Sequence, residues 1–253
     1  MNYHRFRAAP PAANPDPLDG MLVVDKPTGP TSHDIVNAVR RTFQIEKVGH
    51  GGTLDPMATG VLILLLGRAT KMSEQLIGAD KEYEGTMRLG IATDSHDADG
   101  EVVREADPGG VTEDGLRGEM KKLTGDLWQM PPMVSAVKVN GKPLYKSARK
   151  GLEVERKARL IHVYEFRLLA FRPGEADFRV RCTKGTYIRK LAADVGDGLG
   201  CGAHLSRLRR TACGETRVET ALPLDEILKM DRDTLTRRVI PMRLWAKKHE
   251  DTQ

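Results

Sequence analysis

The residues most able to do chemistry are concentrated between Gly49 and Gly60. The run Gly49-His50-Gly51-Gly52-Thr53-Leu54-Asp55-Pro56-Met57-Ala58-Thr59-Gly60 sets one carboxylate among four glycines. Glycine lets a backbone take positive φ and approach a ligand closely. Pro56 restricts Asp55 to extended conformations and offers no N–H to a turn. Asp55 is therefore expected on a stiffened loop, between the apolar Leu54 and Met57. A carboxylate held that way is either a cap for the next element or a reactive group, a nucleophile or general base. The residues alone leave both open.

Other chemistries fail on spacing. The phosphate-binding GxxxxGK[ST] is absent, and GxGxxG starts at Gly49-His50-Gly51 but ends on Leu54. There is no GxSxG elbow and no HExxH helix. The acidic run Ser95-His96-Asp97-Ala98-Asp99-Gly100 imitates a calcium loop, yet its first ligand would be Ser95 and its twelfth Ala106. It reads as a solvated turn. Cys182, Cys201 and Cys213 form no CxxC pair, so neither a disulfide framework nor a zinc site is expected. The longest apolar run, Val61 to Leu66, is far short of the ~20 residues that span a bilayer. Residues 1–20 lack the apolar region of a signal peptide and read as a flexible tail. A cytoplasmic protein without membrane or metal partners is expected.

The elements that must carry the loop follow from periodicity. Met21 to Val24 and Val61 to Leu66 predict buried strands, the second covered on both faces. Between them Thr31 or Ser32 caps a helix whose apolar positions are Ile35, Val36, Val39 and Phe43. Ala69 to Leu76, Thr112 to Leu123, Tyr187 to Val195 and Leu224 to Lys229 predict further helices. Strands are predicted at Glu82 to Leu89, Glu101 to Arg104, Met133 to Val139, Leu160 to Phe171, Asp177 to Cys182 and Ala203 to Leu208. Helices and strands alternate irregularly, with several hairpins and no repeat. That pattern predicts an α/β (α+β) protein built on a mixed sheet. Its 253 residues are 40% hydrophobic and 30% charged, which excludes a disordered or collagen-like chain.

The net charge is +5, and Lys142 to Arg159 alone carries seven bases against two acids. A local basic face suits a polyanion such as nucleic acid, or is simply a solvated surface. Arg207, Arg209 and Arg210 could add phosphate contacts. Lys26, at a strand end, is either RNA-facing or structural.

The glycine-rich segment resembles the signature loop of the TruB family, the synthases that make pseudouridine at nucleotide 55 of tRNA. The resemblance extends from about Leu22 to Leu228. It includes Val24-Asp25-Lys26-Pro27, Thr31-Ser32-His33-Asp34, Leu66-Gly67-Arg68-Ala69-Thr70-Lys71 and Lys81-Glu82-Tyr83. It continues through Thr93-Asp94, Asp97-Ala98-Asp99-Gly100 and Pro131-Pro132-Met133-Val134-Ser135-Ala136-Val137-Lys138. Lys184-Gly185-Thr186-Tyr187-Ile188-Arg189, Gly200-Cys201-Gly202-Ala203-His204 and Leu208-Arg209-Arg210 complete it, in the family's order.

The resemblance implies a pseudouridine synthase fold: a mixed, largely antiparallel sheet flanked by helices and loops. It implies a catalytic domain over 21–210, with a short C-terminal extension over 211–253 in place of the further RNA-binding domain many members carry. The outer tRNA contacts would then be fewer. It implies that a uridine of the tRNA T-arm is flipped out, its glycosidic bond cleaved, and the base rotated and rejoined through C5. Nothing enters or leaves, so no cofactor is implied. Asp55 becomes the catalytic carboxylate and Arg189 the cation that keeps it ionised. Tyr83 would stack on the base, Tyr187 and Leu208 line the uracil pocket, and His50 wedge into the vacated space. Taken without the resemblance, the tyrosines and Leu208 read as core, Arg189 as a surface ion pair and His50 as a loop histidine. The expected working unit is a monomer. The competing expectations are a non-catalytic tRNA-binding or folding protein and a metal-dependent phosphodiesterase using Asp94, Asp97 and Asp99.

Overall fold

An unbroken apolar strand needs cover on both sides of its sheet. In the computed structural model, which describes residues 16–133, 135, 138–139, 142–143, 152 and 154–242, Val61 to Leu66 receives that cover. Strand β1 (Gly20–Lys26) pairs antiparallel with β3 (Thr59–Leu66) from Gly60 to Leu66, and β2 (Val48–His50) pairs with its far end. Leu62, Leu64 and Leu66 face the main core. Val61, Ile63 and Leu65 face a second apolar cluster with Met21, Val23, Leu76 and Cys213.

The chain continues through β4 (Lys81–Leu89), β5 (Ile91–Thr93), β6 (Val102–Glu105), β7 (Gly125–Gln129), β8 (Lys138–Val139) and β9 (Lys142–Pro143). Then come β10 (Arg159–Arg172), β11 (Glu175–Cys182), β12 (Ala203–Cys213), β13 (Thr216–Arg217), β14 (Leu222–Pro223) and β15 (Ile240–Pro241). Among the described residues the main sheet has 11 strands, ordered β14-β1-β3-β12-β4-β11-β10-β7, with β2, β13 and β15 attached to β3, β12 and β1. Only β1–β14 and β3–β12 pair in parallel there. The mixed, largely antiparallel sheet is therefore as expected. β5–β6 and β8–β9 are separate hairpins.

Six α-helices are described: α1 (Ser32–Thr42), α2 (Ser73–Gly78), α3 (Glu113–Lys122), α4 (Ile188–Gly198), α5 (Leu224–Ile227) and α6 (Arg232–Arg238). Thr31 accepts from the Asp34 N–H while Asp34 accepts from that of Thr31, a reciprocal cap that fixes where α1 starts. Its Ile35, Val36 and Val39 are buried. Helix α4 buries Leu191, Ala192 and Val195 and packs on β12.

β3 and β12 meet at one point that only glycine allows. Gly60 has φ +97°, and a Cβ there would lie 2.2 Å from the Arg210 carbonyl oxygen. This close approach brings the end of the Asp55 loop against the strand that carries Leu208 and Arg210.

Several expectations are corrected. β7 and α6 were not foreseen, although Asp231 caps α6 by accepting from the Thr234 N–H. β12 runs five residues past Leu208, through Cys213, because two bulges let it follow β4. The expected boundary after residue 210 thus falls inside a strand, and β14 and β15 both pair with β1. Ala69 to Leu76 divides between a 3-10 turn (Gly67–Met72) and α2. Within Met133 to Val139, Met133 and Ser135 are bends and only Lys138–Val139 is strand; residues 134, 136 and 137 lie outside the described residues. Of the expected tail, residues 1–15 also lie outside. Leu18 is buried, and Asp19 accepts from the backbone and side chain of Arg68. The three cysteines are free and buried, and among the described residues no helix is long and apolar enough to cross a membrane.

Candidate active site around Asp55

The loop between β2 and β3 is held from three sides. Ser32, the first residue of α1, accepts from the Leu54 N–H at 2.9 Å and donates to the Leu54 carbonyl at 3.0 Å. Lys26, fully buried at the end of β1, donates to the carbonyls of Pro27, Pro56 and Ala58 at 2.9, 3.0 and 2.8 Å. Arg210 of β12 donates to Val61, Thr53 and Gly52 carbonyls at 2.7, 3.4 and 3.1 Å. Two buried cations therefore satisfy the carbonyls that a non-regular loop would otherwise leave unpaired. Lys26 is structural, and the two readings left open for it are resolved by its contacts. Burial lowers its pKa to about 8, while the charge of Asp55 acts in the opposite direction.

Of the four glycines, only Gly52 (φ +132°) and Gly60 use the left-handed region. Gly51 serves close packing instead: a Cβ there would sit 2.8 Å from Leu76 Cβ.

The Asp55 side chain is not a cap. Its Oδ2 lies 3.0 Å from Arg189 Nε and its Oδ1 3.5 Å from Nη2. Arg189, on the first turn of α4, is 4% exposed and also donates Nη1 to Asp97 Oδ2 at 2.9 Å and to the Ser95 carbonyl at 3.3 Å. Asp97 is 6% exposed, and its other oxygen accepts from Ser95 Oγ and the Asp99 N–H. One guanidinium thus joins two carboxylates. Asp97 is fully engaged, whereas Asp55 stays 37% exposed and open to solvent.

Sequence reasoning missed the role of Asp97. Its turn-forming neighbours looked like a solvated loop, and nothing local reveals an arginine 92 residues away. Among the described residues no cluster of three or more His, Cys, Asp or Glu could hold a metal ion.

Burial raises the Asp55 pKa above its ordinary value of 3.8, and the Arg189 charge pulls it back without cancelling the effect. A carboxylate that must be ionised to react then loses activity on acidification at a higher pH than a free one. The single-turnover rate is expected to rise with pH through an apparent pKa above 3.8. A rate still at its plateau at the free-carboxylate value contradicts that environment.

The other site residues are distributed as follows. Tyr83 is buried on β4 opposite Arg210, and burial, partly offset by Arg210, pushes its hydroxyl up to about 12. Leu208 is buried two positions before Arg210, and its carbonyl accepts from Thr59 Oγ1 at 3.4 Å. Arg210 thus joins the Tyr83–Leu208 region to the loop that presents Asp55. His50 opens that loop; its Nδ1 accepts from the Gly52 N–H at 3.4 Å, and burial lowers its pKa, so the ring is neutral at pH 7. Tyr187 is half-buried and caps α4 two residues before Arg189.

The expected phosphate contacts divide. Arg210 is buried and committed to the loop, which removes it from that role. Arg209 is paired with Asp25 at 2.7 and 3.1 Å, and Arg207 is largely exposed. Half of Lys142 to Arg159 lies outside the described residues; within them Arg156 donates to the Pro131 carbonyl, and Lys157 and Arg159 are exposed.

A family model described as TruB family pseudouridylate synthase (N terminal domain) matches residues 40–188. A second, described as tRNA pseudouridylate synthase B C-terminal domain, matches residues 189–244. A protein of Opitutus terrae named tRNA pseudouridine synthase B is 53% identical over 89% of this chain and 93% of its own length. One of the same name from Saccharophagus degradans is 49% identical over 83% and 68%. Among solved structures, a chain of "Crystal Structure of a Cbf5-Nop10-Gar1 Complex" is 33% identical with a TM-score of 0.69. That match covers 89% of this chain and 61% of the other, so the chain spans about three-fifths of that relative's length.

Proposed function

The chain belongs to the TruB family of pseudouridylate synthases, enzymes that isomerise a tRNA uridine to pseudouridine, and from that premise we propose that it acts on the T-loop uridine with Asp55 as its catalytic carboxylate. The reaction breaks the N1–C1′ bond, forms C5–C1′, moves a proton off C5 and returns one to N1. Attack at C1′, attack at C6 and proton abstraction all require one ionised carboxylate at the sugar–base junction. The observation that carries the reading is the Arg189–Asp55 pair, in which a buried cation faces a carboxylate that remains partly open.

The other roles are those the resemblance implies. The Tyr83 ring stacks on the everted uracil, with Tyr187 and Leu208 beside it, and the neutral His50 ring fills the space the base has left. A tRNA T-arm is the substrate class, because sequence-specific enzymes reach RNA bases most readily in loops. One chain suffices, since the Asp55–Arg189–Asp97 cluster is complete within it.

Unmodified tRNA transcript tests this directly. Uridine-specific chemical labelling and mass spectrometry should find one new pseudouridine in the T-loop, and none when that uridine is replaced by cytidine. Binding with unchanged nucleoside composition would instead identify a non-catalytic tRNA-binding protein.

A further inference from the structure

Beside the site, at the start of α4, lies a contact that no role above uses. Gln129, the last residue of β7, is 5% exposed. Its Oε1 accepts from the Tyr187 N–H at 2.7 Å, and its Nε2 donates to the Tyr187 carbonyl at 3.1 Å. The side-chain amide thus pairs with both main-chain groups of one residue, as a neighbouring strand would. The two residues are 58 apart in sequence.

Helix α4 needs this contact. Its cap residue is Tyr187, with no side-chain cap. A capping helix often satisfies its own cap N–H with a Glu or Gln three residues on, but here that position is Lys190, which has no acceptor. Gln129 supplies the missing acceptor from another strand. The Tyr187 carbonyl also accepts from the N–H groups of Lys190 and Leu191 at 3.1 and 3.2 Å, so its position sets the start of the helix. Arg189 lies two residues on, in contact with Asp55 and Asp97.

We propose that Gln129 is a positioning residue for the reaction: its amide fixes the Tyr187 backbone, and through the first turn of α4 it sets Arg189 against Asp55. This rests on the pseudouridine synthase reading above. Gln129 touches neither Arg189 nor Asp55 and acts only through the helix start. An ångström of play there is enough to lower the rate steeply.

The test uses the full chain with tRNA transcript, measuring single-turnover rate, tRNA dissociation constant and thermal midpoint for wild type, Gln129→Ala and Gln129→Glu. Gln129→Ala is expected to lower the rate by at least about tenfold with tRNA affinity within about twofold, since a group acting on the reacting geometry affects kcat rather than binding. Gln129→Glu carries a signature that simple loss of folding would not. Ionised, its second oxygen faces the Tyr187 carbonyl and repels it. Protonated, it restores one acceptor and one donor in place. Its rate relative to wild type at the same pH should therefore recover as pH falls, while the Gln129→Ala ratio stays flat. A Gln129→Ala rate within twofold of wild type, or a pH-independent Gln129→Glu ratio, overturns the proposal. A wild-type protein that forms no pseudouridine overturns the underlying reading instead, so the two failures are distinguishable.

Discussion

Asp55→Asn should lower single-turnover pseudouridine formation by at least about 10⁴-fold and leave tRNA affinity within a few-fold of wild type. Losing a group that reacts covalently, or abstracts the proton, removes the whole step rather than a fraction of transition-state binding. Asn fits the same space and still accepts from Arg189, so the loop should keep its shape. The loop's anchors, Ser32, Lys26 and Arg210, do not involve the Asp55 side chain.

The effect on stability has a definite sign. The folded pKa of Asp55 is raised, so the folded state holds its proton more tightly than the unfolded chain does. Stability attributable to this group is then present at low pH and lost as pH rises from the unfolded value, about 3.9, through the raised folded one. At neutral pH the ionised carboxylate opposes folding, and Asp55→Asn should hold or raise the thermal midpoint. A variant that is inactive because it is unfolded would contradict both parts of this expectation. One that folds and retains turnover would remove Asp55 from the chemistry.

Arg189→Met should be nearly as damaging, and for two separable reasons. It removes the cation between Asp55 and Asp97 and leaves two carboxylates facing each other in a largely buried site. Breaking such a pair from one side costs about 3–5 kcal/mol, because the remaining charge is stranded. Without the guanidinium the opposing pull on Asp55 is gone, and burial drives its pKa further up, so less of it is ionised. The rate at neutral pH should fall by about 10³-fold, the scale seen for removing one preorganised electrostatic contact.

Arg189→Lys separates geometry from charge. Lysine keeps the charge but offers one nitrogen, which cannot reach Asp55, Asp97 and the Ser95 carbonyl together. It should restore much of the stability and little of the rate. Rates within tenfold of wild type in a folded Arg189→Met protein would show that the arginine is not needed to keep Asp55 ionised. Thermal melts alongside single-turnover assays decide both points.

The fold was legible where one strand or helix states its own pattern. β3 declares itself by being apolar throughout, and α1 by a hydroxyl cap followed by Ile35, Val36 and Val39. β7 was missed because Gly125-Asp126-Leu127-Trp128-Gln129 is an edge strand with few buried positions, and its pairing partner begins 30 residues past its end. The loop carrying Asp55 was legible from its glycines and Pro56, but the choice of a reactive group over a cap and the link to Arg189 came through resemblance, since nothing local at Arg189 distinguishes it from a surface arginine.

The supporting residues were hidden for a different physical reason. Asp97, Arg210, Lys26 and Gln129 act by contacts that the sequence places far apart, to carbonyls or to a partner on another element. Buried charges in such positions look like ordinary surface charges until their burial is known. Arg210, a candidate phosphate contact by sequence, braces the loop instead.

The most direct measurement is a structure of the Asp55→Asn protein bound to a T-arm RNA. The T-loop uridine should be out of its stack, its ring against Tyr83, and its sugar–base junction within about 3.5 Å of the residue 55 side chain, the near-attack range. A uridine still stacked in the loop, or everted into a different part of the protein, would contradict it.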